Sequence, residues 1–315
     1  MKRFLWKCGL LLLSMGVILG ISGVFYRQTN TYKNMVSYID TAKFDAMPQT
    51  IDVAIFGNSH ARESIREIEG VKNFFNFSLS GQTIQYDARL MRQYEDRFHE
   101  GTVVLVLCTV PSPFWSESED AFQEKQIRYY RIMDLENMVD PDLRTYYLRQ
   151  FSPLLTEDLP NVYAAFFRDV ELECHGRDKA HLTTDPEQAA ANAEKTWNWY
   201  SDLIDPAFPD GNPVMLDAYR DMLTRCQENG WKAVLFTPPY LKDLTDNTPE
   251  AYKTAYDILM RGLSEEFHVP YLDYSKDEGY RERYDYFIDS THMNMYGAEV
   301  FEAQIKQDLQ RLGIL

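Results

Sequence analysis

The residues with the most to offer chemically lie far apart in the chain. One is Ser59, inside the stretch DVAIFGNSHARESI at 52–65; the others are Asp289 and His292, inside Asp289-Ser290-Thr291-His292. A serine hydroxyl becomes a nucleophile when a neutral imidazole takes its proton and a carboxylate orients that imidazole. The Asp-x-x-His spacing places the two side chains on one face of a helical turn, so Asp289 is expected to hold His292 and His292 to serve Ser59. The setting of Ser59 suits the same chemistry. Residues 52–56, apolar after Asp52 and partly β-branched, read as a short buried strand and stop at the turn signal Gly57-Asn58. Residues from Arg62 read as a helix, so Ser59 stands where a strand end meets a helix N-terminus. Unpaired N–H groups and the helix dipole there favour the negative charge formed when an acyl carbon is attacked. Each residue also has a plainer job open to it. Ser59 is a candidate helix N-cap, the commoner use of Ser at such a place, and Asp289 a candidate N-cap of the last helix. His60 is adjacent to Ser59, but neighbours on a turn seldom face each other, and a structural hydrogen-bonding role is expected for it.

The elements that must position these residues alternate. Strands are expected at 52–56, 73–77, 102–108, 232–236 and 269–273, and helices at 61–69, 84–99, 213–229, 249–267 and 296–312. Strands alternating with helices imply an α/β fold, a three-layer α/β/α sandwich around a parallel five-stranded, flavodoxin-like sheet. The strand at 102–108 is continuously apolar, as a centre strand covered on both faces should be. Ligands bind beyond the carboxyl ends of strands in such folds, where Ser59, Gly81 and Thr109 to Trp115 all fall. Residues 112–210 are too long for a simple connection and show no clear strand; they read as a helical insertion rich in Trp and Tyr beside that edge. Such an insertion serves equally as a groove for substrate or as a packing module.

The chain of 315 residues has an ample apolar fraction, 45%, for a folded core. Its organisation reads as a cytoplasmic stub and transmembrane anchor at 1–26, a polar tether at 27–50, and the α/β domain at 51–315. Residues 8–26 carry no charge and are long enough to span a bilayer; Lys2, Arg3 and Lys7 precede them without an acid. Positive residues favour the cytoplasmic side, which puts the N-terminus inside and the domain outside the cell membrane as a single-pass protein. A cleaved signal peptide is the alternative, although its apolar region is usually shorter. Beyond residue 26 there remain 29 Lys and Arg against 48 Asp and Glu, a net charge of −19. Nucleic acid is therefore not an expected partner, since phosphate binding needs a basic surface. Cys108 falls in a buried-strand pattern; Cys174 and Cys226 could form a disulfide in an oxidising exterior, which spacing alone leaves open. No metal or nucleotide motif is present, no cofactor is expected, and no carboxylate pair is marked out for glycosidase chemistry.

At three of these places the chain resembles the SGNH (GDSL-type) hydrolase superfamily. Phe56-Gly57-Asn58-Ser59-His60 looks like its first block, which holds the nucleophile. Leu79-Ser80-Gly81-Gln82 looks like the second, and Asp289-Ser290-Thr291-His292 followed by Met293-Asn294-Met295-Tyr296-Gly297 like the last. The resemblance implies catalysis by Ser59, His292 and Asp289, with an oxyanion hole from the N–H groups of Ser59 and Gly81. The family's third block usually supplies an Asn, whereas residues 108–115 contain none, which leaves completion of the hole to Asn58 or to a partner. This departure is similar to a membrane-anchored branch containing DltD-like and polysaccharide O-acyltransferase proteins. It implies an extracytoplasmic acyltransferase or esterase acting on a cell-envelope glycan or polymer, with a multi-span membrane acyltransferase as a possible acyl donor. The missing Asn equally fits a non-catalytic glycan-binding or scaffold subunit.

Overall fold

Five strands share the task of placing the loops that carry Ser59, Gly81 and His292. In the computed structural model, which describes residues 1–116, 126–173 and 181–315, β1 (Ile51–Phe56), β2 (Phe74–Asn76), β3 (Phe98–Leu107), β4 (Lys232–Thr237) and β5 (Tyr271–Asp273) form one sheet. The spatial order is β2-β1-β3-β4-β5 and every pairing is parallel. This is the three-layer, flavodoxin-like architecture expected from the alternating pattern. The order reverses direction between β1 and β3, which opens a crevice beyond their carboxyl ends.

Side-chain alternation divides the core between the two faces of the sheet. Val53 and Ile55 of β1, Val103 and Leu105 of β3, and Val234 and Phe236 of β4 pack with Phe301, Ile305 and Leu309 of the last helix, Met295–Arg311. Ala54, Phe56, Val104, Val106 and Leu235 point the other way and are equally buried. The helices Ile84–Gln93 and Pro213–Glu228 pack on each other, the latter also against β4.

The helix expected over 84–99 stops at Gln93, and β3 starts at Phe98. The Phe98 ring explains the early end. It sits in an aromatic cluster with Trp231 at 4.8 Å, Phe77 at 6.0 Å and Phe56 at 6.3 Å between centroids, and continuing the helix would draw it away. The first helix after β1 is also shorter than expected, Ser59–Ser64.

The chain forms two compact units: residues 46–119 with 175–315 contain the sheet, and residues 1–45 with 120–174 form the other. The span expected as an insertion thus divides, and its helix Pro186–Leu203 belongs with the sheet. In the second unit the helix Lys2–Tyr26 is long and apolar enough to cross a membrane. Its last turn is fixed by close packing: a Cβ on Gly23 would lie 2.6 Å from Ser152 Oγ. The Arg27 guanidinium donates to the carbonyls of Arg149 and Gln150, each at 2.8 Å, at the end of the helix Leu143–Phe151. Asn30 and Asn34 hold the strip around Val170 to Glu173 through the Val170 and Glu171 carbonyls and the Glu173 N–H.

Candidate active site

The turn after β1 is built around a glycine that tolerates no side chain. Gly57 has φ +151°, and a Cβ there would lie 2.5 Å from the Leu107 Cβ, so β1 and β3 approach as closely as they do only with Gly at this point. Asn58, not Ser59, caps the following helix: its Oδ1 accepts the His60 N–H at 3.0 Å and lies 2.8 Å from His60 Nδ1. With the cap supplied by its neighbour, the half-buried Ser59 hydroxyl is left for another partner. That partner is His292, whose Nε2 is 2.9 Å from Ser59 Oγ. His292 Nδ1 in turn is 3.0 Å from Asp289 Oδ2 and 3.2 Å from Oδ1.

The Asp289–His292 segment is a loop and not the helical turn that its spacing indicated. Asp289 Oδ1 accepts the N–H groups of Thr291 and His292, both at 2.8 Å, and the Thr291 hydroxyl at 2.9 Å. Asp289 thus bonds the backbone two and three residues ahead as a cap would, in an Asx-type turn that no helix follows before Met295. The N-cap of the last helix is consequently Asn294, which accepts from Tyr296 and Gly297, each at 3.0 Å. Gly297 lets this helix abut the loop before it: a Cβ would lie 2.3 Å from the Tyr286 carbonyl oxygen. Asn192, on the helix Pro186–Leu203, accepts the Ser290 N–H at 3.1 Å and the Ser290 hydroxyl at 2.6 Å, which pins the loop from its other side.

Electrostatics follow the geometry. Burial opposes the charged form of His292, but attraction to the Asp289 carboxylate and the hydrogen bond between them together raise its pKa above 6.5. Burial likewise opposes ionisation of Asp289, yet His292, followed by the N–H groups of Thr291 and His292, takes its carboxyl well below the usual range. His60 is held neutral, chiefly by burial and then by repulsion from a charged His292.

Sequence reading missed how closely His60 engages the centre. Its ring stacks on His292, with centroids 4.7 Å apart and planes 5° from parallel, and the Tyr200 hydroxyl lies 3.3 Å from its Nε2. Tyr240 meets the same ring edge-on at 5.7 Å. The second omission lies under the site. Gln82 Nε2 donates to the carbonyls of Gly57 at 3.1 Å and Phe77 at 3.2 Å, and to Asp87 Oδ1 at 2.6 Å. One buried amide therefore ties the Ser59 turn to the loop after β2. Burial pushes the Asp87 carboxyl up to about 7, against the lowering effect of its bonds to Gln82 and the Gly57 backbone. Neither Tyr200 nor Asp87 had a sequence signal, because each reaches its partner only through the tertiary fold.

Of the N–H groups expected as oxyanion donors, that of Ser59 is in the first helical turn, ahead of the intrahelical ladder. Gly81 adopts φ +59° in the loop after β2. Thr109, after β3, is buried with its hydroxyl 2.5 Å from that of Ser112. The remaining histidines serve elsewhere: His99 pairs with Asp52 at 3.0 Å, His268 ends the helix Glu250–Phe267 with φ +53°, and His181 is exposed. His175 lies outside the described residues. Cys108 and Cys226 are buried free thiols, and Cys174, the other half of the disulfide left open by the sequence, also lies outside the described residues.

No family model and no curated protein matches the chain. Among solved structures it is similar to a lipase/acylhydrolase from Enterococcus faecalis, with 12% identity and a TM-score of 0.38 over 82% of this chain and 95% of that one. It is also similar to a protein of Bacteroides fragilis described as an acylhydrolase, with 11% identity and a TM-score of 0.39 over 86% and 94% of the two chains.

Proposed function

We propose that the sheet-containing unit transfers acyl groups through a covalent acyl-Ser59 intermediate. The observation that carries the reading is the chain Ser59 Oγ to His292 Nε2 to Asp289 Oδ2, at 2.9 and 3.0 Å. His292 takes the proton of Ser59 as Oγ bonds to the substrate carbonyl carbon. The oxyanion that forms is stabilised by the N–H groups of Ser59 and Gly81, with the Asn58 side-chain amide as the third donor. Collapse expels the leaving alkoxide, which takes the proton from His292. An incoming hydroxyl then gives its proton to His292 and its oxygen to the acyl carbon, and Ser59 is restored. Water as acceptor makes the protein an esterase; a sugar hydroxyl makes it an O-acyltransferase.

The membrane setting favours a cell-envelope glycan or polymer as substrate. Lys2–Tyr26 serves in this reading as an uncleaved anchor, supported by the burial of Gly23 and Tyr26 in the second unit and the hold of Arg27 on the carbonyls of 149 and 150. Lys2, Arg3 and Lys7 orient the N-terminus to the cytoplasm and the active unit to the exterior. A multi-span membrane acyltransferase is the proposed source of acyl groups.

The test is intact-mass analysis after incubation with p-nitrophenyl acetate, with Ser59→Ala as control. A gain of one acetyl group on Ser59 with release of nitrophenol, both abolished in the folded variant, is the expected result. Undiminished release by Ser59→Ala would remove Ser59 from the reaction. Candidate glycans added to the acylated protein then separate transfer from hydrolysis.

A further inference from the structure

The second unit turns its apolar side chains outward. Along the helix Leu159–Phe167 the exposed residues are Leu159 (83%), Tyr163 (55%), Phe166 (44%) and Phe167 (74%). Their spacing, i, i+4, i+7 and i+8, is a single helical stripe. In a water-facing helix that stripe would face the core. The helix Leu143–Phe151 repeats the arrangement, with Leu143, Tyr147 and Phe151 all more than half exposed at intervals of four. Two successive helices with uncovered apolar faces mark a surface made for contact.

What covers it follows from where the helices are fastened. Tyr26, the last residue of the long apolar helix, meets Phe166 with ring centroids 6.2 Å apart. Ser152, immediately after Leu143–Phe151, packs against Gly23, and Arg27 binds the carbonyls of Arg149 and Gln150. The aromatic faces therefore begin at the depth where Ile21, Val24 and Phe25, themselves exposed, leave the hydrocarbon. Tyr and Arg favour that boundary, since each joins an apolar body to a polar end. The exposed Arg168 completes the pattern, its guanidinium 5.8 Å from the Tyr163 ring.

We propose that the helices Leu143–Phe151 and Leu159–Phe167 lie on the bilayer surface around the exit of Lys2–Tyr26, with their aromatic faces among the acyl chains at the headgroup boundary. The occupant is lipid, because the exposed faces continue the lipid-facing surface of the span itself. The contact is apolar and independent of anionic lipid: beyond the apolar helix, the residues of this unit, 27–45 and 120–174, hold 9 Lys and Arg against 13 Asp and Glu, and their net negative charge gains nothing from a negative membrane. Such seating limits the tilt of the unit about its anchor. The proposal rests on Lys2–Tyr26 being a membrane anchor and is independent of any catalysis by Ser59.

The test uses the full chain in nanodiscs of phosphatidylcholine, with p-benzoylphenylalanine placed singly at Phe25, Leu159, Asn161, Tyr163 or Phe167. After irradiation the readout is a mass gain of one lipid. Phe25 reports on the anchor. Asn161 is exposed but lies roughly 160° around the helix from Leu159 and Tyr163. Lipid adducts at 25, 159, 163 and 167, with none above background at 161, are expected. Adducts at 25 alone would overturn the proposal and leave the anchor standing, and no adduct at 25 would overturn both. The same variants irradiated in native membranes separate the occupants: a crosslink from 167 to a polypeptide in place of lipid would make the face a protein-docking site and refute lipid seating.

Discussion

Replacing Asp289 with Asn tests the proposed chemistry at its most exposed point, because the loop should survive while the base should not. The three donors that shape the loop, the N–H groups of Thr291 and His292 and the Thr291 hydroxyl, all converge on Oδ1. An amide oxygen can accept all three in the same geometry, without the extra strength of the carboxylate charge. The group that changes is Oδ2, which faces His292 Nδ1 at 3.0 Å. There the variant presents an NH2, which donates, so Nδ1 must become the acceptor and the ring proton must move to Nε2. Nε2 is the atom 2.9 Å from Ser59 Oγ, and once protonated it has no lone pair for the serine proton. Loss of the working tautomer in a serine triad costs about 10⁴-fold in kcat, or roughly 5 kcal/mol of barrier. The assay is kcat on p-nitrophenyl acetate for wild type and Asp289→Asn, with circular dichroism to establish that the variant is folded. A folded variant that loses less than about tenfold would refute the argument that Asp289 sets the His292 tautomer.

Two further outcomes follow from the same site. In the proposed reaction His292 acts as a base only when neutral, and Asp289 raises its pKa above 6.5, so kcat/KM should rise with pH through a midpoint above 6.5; in Asp289→Asn the main opposition to burial is lost, leaving the weaker pull of Glu63, and the midpoint of the residual activity should fall. A pH–rate profile of the two proteins with the midpoints in the reverse order would contradict this. Gly57→Ala should cost roughly 2–4 kcal/mol of stability, from a strained φ and a Cβ forced onto Leu107, and activity should fall with it as Ser59 is displaced. Urea unfolding measures it, and an unchanged midpoint would show that β1 and β3 can part at this point without loss.

The sequence by itself determined the elements and the reactive residue types. The largely apolar runs at 52–56 and 102–108 have few alternatives to buried parallel strands, because both faces of such a strand must be covered. Gly57-Asn58 and Gly81 were visible as turns, since local conformation at such residues depends on the residue itself. What the fold alone decided depends on contacts between residues far apart in the chain. The spacing of Asp289 and His292 fits a helical turn as well as it fits a side-chain-capped loop, and the loop forms because Asn192 and the abutting last helix hold it there. The helix after 84 ends at Gln93 because Phe98 has a better place among Trp231, Phe77 and Phe56. His60 stacks on a ring 232 positions further along the chain, and Gln82 joins two loops by a buried amide. Periodicity and propensity act over a few residues and carry no record of such encounters, so these partners became legible only when the sheet brought its carboxyl ends together.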